Sequence, residues 1–219
     1  MNPFSASDDR LDELAPLTSF AEAQKNLELL KTTPIILQSA TLPGVGSPIG
    51  DIPAEIGARF GSVSGLSPEH VHKAVDMTLQ AAVLAYHHRS EVEYTEGALR
   101  WSGIHDNDRA WRGEVPRHAD CSAFGTWCLW QPFDHFHYPD IVNGEHWREG
   151  YTGTLLQHGR QVGTPLPGDL IIYGTSWPGV HTAVYTGGGL CVSHGNSLGP
   201  ILLPYNQMGI PILSIRRYI

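Results

Sequence analysis

The chain is poor in cysteine, in charge and in long apolar runs. Only three cysteines, Cys121, Cys128 and Cys191, occur in 219 residues. An odd count cannot close a complete disulfide framework, and Cys121 and Cys128, two helical turns apart at roughly 10 Å, are too distant to bridge. Reduced thiols are expected. No segment reaches the roughly eighteen consecutive apolar residues of a membrane span. The opening MNPFSASDDRLDELAP carries neither the positive start nor the apolar stretch of a secretory signal, so synthesis in the cytoplasm without stable membrane insertion is expected. Lys and Arg number 14 against 22 Asp and Glu, for a net charge of −8, and no basic run is present to follow a phosphate backbone. Nucleic acid is therefore excluded as an expected partner. There is no internal repeat and no low-complexity tract.

What is present suffices for a core: 41% of residues are hydrophobic, enough for one domain with an extension. Ser19 and Glu22 form a capping-box pair ahead of Phe20, Ala23, Leu27 and Leu30 on one helical face, and Pro34 ends that segment. Residues 35–65 are rich in Gly, Pro and Ser and read as an arm, so residues 1–65 are taken as an N-terminal extension and 66–219 as the main domain. Ser67, Pro68 and Glu69 open a helix that runs to His88. Residues 91–120 are polar, aromatic and aperiodic, as in a functional surface loop. Further helices are expected from Cys121 to about Trp130 and from Gly153 to about His158. After Pro167 come short β-type runs, DLIIY, HTAVYT, LCVSH and PILSIRRYI, separated by glycine. Helices first and strands last imply an α+β domain with helices against one face of a small antiparallel sheet.

Cys121 stands where a helix begins, between Asp120 and Ser122 and ahead of the apolar Phe124, Trp127, Cys128 and Trp130. The first turn of a helix favours a thiolate through its unpaired N–H groups and its dipole. Taken alone, a lone cysteine is more often a small core residue. His181 opens a strand after the Trp177–Gly179 turn, and His194 ends the next one. Adjacent antiparallel strands put the two side by side, with His181 as base to Cys121 and His194 fixing its tautomer.

The strings DCSAFGTWC, PGDLIIYG and HTAVYTGGGLCVSHGN, in this order, resemble the motifs of the NlpC-type cell-wall cysteine peptidases, over roughly Tyr94 to Ile219. The resemblance implies a papain-like α+β fold without a cofactor, and gives Cys121, His181 and His194 the roles of nucleophile, base and orienter. It implies bacterial peptidoglycan as partner and, as the bond cut, that between D-isoglutamate and a diamino acid such as meso-diaminopimelate. Amidase or exopeptidase specificity also occurs in the family. Ala123 stands where glycine is common. Tyr94 matches the tyrosine that lines the site and helps bind the oxyanion, although the loop that follows it is longer than usual. That loop and the YTEGALRW segment are similar to versions encoded by phages of actinobacteria, which implies a lysin held in the cytoplasm until release, or a virion component.

Asp120, Ser122 and Trp177 are the remaining residues expected at the substrate or oxyanion side, with Asp120 also suited to a helix cap. Trp101, Trp111 and Trp177, all in loops, would line a groove or anchor their loops. The pairs His70/His72, His87/His88 and His135/His137 lack a third ligand at metal spacing, so no metal site is expected. A monomer is favoured. A zinc amidase and a non-catalytic wall-binding protein, such as a phage tail component, remain as alternatives.

Overall fold

The structure, a computed structural model, describes residues 68–144 and 146–219. The expected helix after Ser19, the 35–65 arm and the Ser67 cap lie outside the described residues.

Helix α1 (Pro68–His87) follows the expected span to within a residue. Its buried residues include four alanines, Ala74, Ala81, Ala82 and Ala85, beside Met77, Thr78 and Leu79, and the helix packs on α3 (Cys121–His135). Between them, the stretch expected to be loop contains short elements. Strands β1 (Glu93–Tyr94) and β2 (His118–Ala119) pair in parallel, Glu93 with His118 and Tyr94 with Ala119, and a single helical turn, α2 (Ser102–His105), lies between. That pairing brings Tyr94 alongside the residues immediately before Cys121.

Helix α3 runs five residues past the expected end, through Pro132. Proline inside a helix removes one N–H and crowds the preceding turn. Here it falls near the end, where the Phe136 N–H still reaches Pro132 O at 3.0 Å and Phe133 is fully buried, so packing carries the helix on. Helix α4 (Thr152–Gln157) is short; the Tyr151 N–H donates to Thr154 Oγ1 at 2.9 Å and holds its first turn.

Six antiparallel strands follow: β3 (Arg160–Val162), β4 (Leu170–Tyr173), β5 (His181–Gly187), β6 (Leu190–Ser193), β7 (Ile201–Pro204) and β8 (Ile212–Arg217), in the spatial order β3-β8-β4-β5-β6-β7. The α+β architecture is as expected. The two strands not anticipated, β3 and β7, are the sheet edges, short and without alternation. Alternation sorts the central strands into two faces. Leu170, Ile172, Val184 and Val192 pack with Phe124 and Trp127 of α3, while Ile171, Tyr173, Ala183, Tyr185 and Cys191 pack with Met208 on the other side. Burial on both faces is why these strands read as continuous apolar runs. Gly125 lets α3 sit close: a Cβ there would stand 3.4 Å from Leu170 and 3.6 Å from Thr182.

Candidate active site

Helix α3 begins at Cys121 because Asp120 caps it. Asp120 is extended, and its Oδ1 accepts the Ala123 N–H at 2.6 Å and the Ser122 hydroxyl at 2.8 Å. Its Oδ2 accepts Arg100 Nη1 at 2.5 Å, and Arg100 Nη2 donates to Gly150 O at 3.0 Å. Both carboxylate oxygens are thus engaged inside the protein. The Ser122 hydroxyl, 3% exposed with its residue, is likewise turned into the cap. The expectation that the Asp120 and Ser122 side chains face substrate is corrected accordingly: the N-terminal turn holds them.

Three groups near Cys121 favour its thiolate: the backbone N–H groups of Thr182 and Ser122 and the Thr152 hydroxyl. They do not produce a resting thiolate. Burial first, and the Asp120 charge second, push the thiol up to about 12, against the pull of those donors. The magnitudes explain the correction. A helix terminus contributes about 0.3–1 kcal/mol, less than one pKa unit, whereas complete burial of a charged group shifts it by several units.

His181 is the first residue of β5, directly opposite Tyr173 of β4, with the two rings 5.9 Å apart. Burial, and then His194, hold its imidazole down to about 3, so the ring is neutral. Its Nε2 lies 2.7 Å from Ser193 Oγ. The backbone of Thr182, the residue after His181, acts on the Cys121 thiol, so Cys121 stands near the start of β5.

The orienting partner differs from expectation. Ser193, not His194, hydrogen-bonds His181, and the period of two along a strand is the reason. Ser193 stands opposite Ala183 in register and shares the face of His181; His194 points to the other face, against Phe124 of α3 at 6.0 Å and Tyr94 at 5.4 Å. His194 is fully buried, and burial lowers its pKa although backbone groups of Gly199, Glu93 and Ala119 lie close enough to oppose the shift. None of them makes a hydrogen bond of good geometry to either ring nitrogen.

Tyr94 pairs with Ala119, two residues before Cys121. Its hydroxyl donates to Glu96 Oε1 at 3.0 Å; burial, followed by the Cys121 and Glu96 charges, raises its pKa so that the phenol keeps its proton. Trp177 is 59% exposed and meets the Tyr151 ring edge-on at 6.5 Å. Gly179 backs this loop against Thr152, where a Cβ would come within 3.0 Å of the Thr152 methyl, so Trp177 stands on the rim beside the sulfur's hydroxyl donor. Trp101 is buried beneath Arg100, and Trp111 packs on His135.

Four residues that sequence reasoning missed complete the cluster: Arg100, Thr152, Thr182 and Ser193. Ser193 was reachable by counting strand alternation from Ala183; the other three are set by the fold. Among the described residues, no three His, Cys, Asp or Glu side chains gather in a way that could hold a metal ion, and no helix is long and apolar enough to cross a membrane.

No family model and no curated protein matches the chain. Among solved structures, it is similar to NlpC1 from Trichomonas vaginalis at 18% identity, over 73% of this chain and 47% of that one, with a TM-score of 0.44. It is also similar to the peptidoglycan hydrolase RipB from Mycobacterium tuberculosis at 19% identity, over 94% and 89%, with a TM-score of 0.46. A third is the P60 domain from an M. avium subspecies paratuberculosis antigen, at 18%, over 67% and 96%, with a TM-score of 0.44. The chain spans less than half the length of the two Trichomonas vaginalis proteins it resembles, NlpC1 and NlpC2.

Proposed function

We propose that the chain is a cysteine peptidase that hydrolyses a peptide bond in bacterial peptidoglycan, with Cys121 as nucleophile and His181 as base. One observation carries the reading: the buried thiol at the first residue of a helix is influenced by the backbone of Thr182, the residue that follows the buried imidazole at the first position of a strand. A helix-borne thiol against a sheet-borne imidazole is the papain-like arrangement. The three motifs in order, Asp-Cys-Ser, Pro-Gly-Asp-Leu and the His181 strand, support the wall substrate.

In the tautomer that donates Nε2–H to Ser193, Nδ1 is the basic atom of His181. Thiol and imidazole are both neutral at rest, so the Cys121 proton passes to His181 as sulfur attacks the carbonyl carbon. The Cys121 backbone N–H, in the unpaired first turn of α3, is the donor for the developing oxyanion, joined by the protonated Tyr94 hydroxyl once it turns from Glu96 Oε1. His181 then gives its proton to the departing amine, leaving an acyl-enzyme. Water, deprotonated by His181, releases the acid and restores the thiol.

The finer reading is cleavage between D-isoglutamate and meso-diaminopimelate by a lysin released from the cytoplasm or carried on a virion; the YTEGALRW segment and its loop support it. Digestion of diaminopimelate-type peptidoglycan followed by mass spectrometry tests the bond. Fragments with a newly freed diaminopimelate α-amine are expected. Release of intact stem peptides from the lactyl group would replace endopeptidase with amidase, and release abolished by EDTA would replace the thiol with zinc. Trp177→Ala is expected to raise KM several-fold with little change in kcat, as for an exposed contact made equally in ground and transition states.

A further inference from the structure

We propose that Arg100 is a positioning residue for the nucleophile, one guanidinium tying the cap of the Cys121 helix to the backbone that presents the Thr152 hydroxyl. The inference deepens the Cys121–His181 reading but can be tested without substrate.

The geometry is a two-armed clamp. Nη1 binds Asp120 Oδ2, whose other oxygen holds the Ala123 N–H and the Ser122 hydroxyl at the start of α3. Nη2 binds Gly150 O, two residues before Thr152. Both ends bear on the sulfur: its own residue follows the cap, and the Thr152 hydroxyl is among the groups that favour its thiolate. The planar fork of arginine suits two acceptors at once, which the point charge of lysine does not reproduce. Arg100 is part-buried and braced by the Trp101 ring, 4.9 Å from its guanidinium carbon. It reaches across 20 residues to Asp120 and 50 to Gly150, so no local element requires the arrangement.

There is an electrostatic consequence. The groups that act on the sulfur are Asp120 and Ser122 at the start of its own helix, Tyr94 from β1, Thr182 from β5 and Thr152 from α4; the imidazoles of His181 and His194 are neutral. The Asp120 carboxylate is the negative charge that opposes the thiolate. Arg100 is its charge partner. Without Arg100, the repulsion between Asp120 and a forming thiolate is uncompensated, and the hydroxyl of Thr152 loses its anchor.

The test is the rate of iodoacetamide alkylation at Cys121, read by peptide mass spectrometry at fixed pH 8, where rate follows the thiolate fraction. Arg100→Met is expected to slow labelling about tenfold, the effect of one pKa unit. Arg100→Lys, which retains the charge, should label within about threefold of wild type, and adding Asp120→Asn to Arg100→Met should restore the rate, because the uncompensated carboxylate is gone. If Arg100→Met does not fold, Arg100→Gln takes its place with the same expectation. On substrate, Arg100→Lys should lower kcat with KM unchanged, since one arm of the clamp is lost. Faster or unchanged labelling in Arg100→Met would overturn the proposal, as would an Arg100→Lys rate as low as that of Arg100→Met, because a merely structural arginine would loosen the site and expose the thiol. These outcomes stand whether or not peptidoglycan is the substrate.

Discussion

At the scale of single residues, the site depends on which side of a strand a side chain falls. Ser193 and His194 are neighbours in sequence, yet one holds the His181 ring and the other fills the space between Phe124 and Tyr94. Ser193→Ala is expected to lower kcat about tenfold, the worth of one orienting hydrogen bond in a buried site. His194→Phe, which keeps the ring against Phe124 and Tyr94, should hold kcat within about threefold. Steady-state kinetics of the two variants check this, and the reverse order would return the orienting role to His194. The sequence made Cys121, His181 and Tyr94 legible because each carries a distinctive chemical group in a distinctive motif. It did not reveal Arg100 or Thr152, because an arginine or a threonine in an aperiodic loop has no signature until the chain folds it against a partner.

At the scale of elements, what matters is how closely one backbone approaches another. The His181 ring lies over Gly195, where an added Cβ would stand 3.1 Å from Cε1. Gly195→Ala is therefore expected to displace the imidazole by a few tenths of an ångström and cut kcat about tenfold while Tm moves little, because orientation at the reacting centre is more sensitive than packing. Circular dichroism melts beside kinetics check it; a Tm loss proportionate to the activity loss would assign Gly195 to packing alone. Of the elements, α1, α3, α4 and β4, β5, β6 and β8 were legible in the sequence, most of them from capping signals and apolar runs. The edges β3 and β7 were not, since Arg160–Val162 and Ile201–Pro204 are short and have one side unpaired. Helix α3 outran its expected end because burial of Phe133 outweighs the loss of one backbone hydrogen bond at Pro132. The Tyr94–Ala119 pairing hides in a loop because a two-residue strand has no period to read.

At the scale of the whole molecule, a buried site couples catalysis to stability through pH. His181 binds its proton near pH 3 in the folded protein, well below the ordinary imidazole value of 6.5. Between these values the unfolded chain holds more protons than the folded one, so stability is full above about pH 6.5 and is lost as pH falls toward 3, by roughly 1 kcal/mol per pH unit. His194, also shifted down, adds in the same direction. Urea melts from pH 7 to pH 4 should show this slope, and it should be shallower in His181→Gln; a flat wild-type profile would contradict neutral burial of the imidazoles. The same burial keeps Cys121 protonated at working pH, so the reactive pair forms only when substrate draws the proton across to His181.

The most direct test of that account is the release of peptide fragments from diaminopimelate-type peptidoglycan by the full chain and by Cys121→Ala at equal concentration. Release by the full chain, with none above background from Cys121→Ala, is the predicted result. Equal release by both proteins would contradict the thiol mechanism.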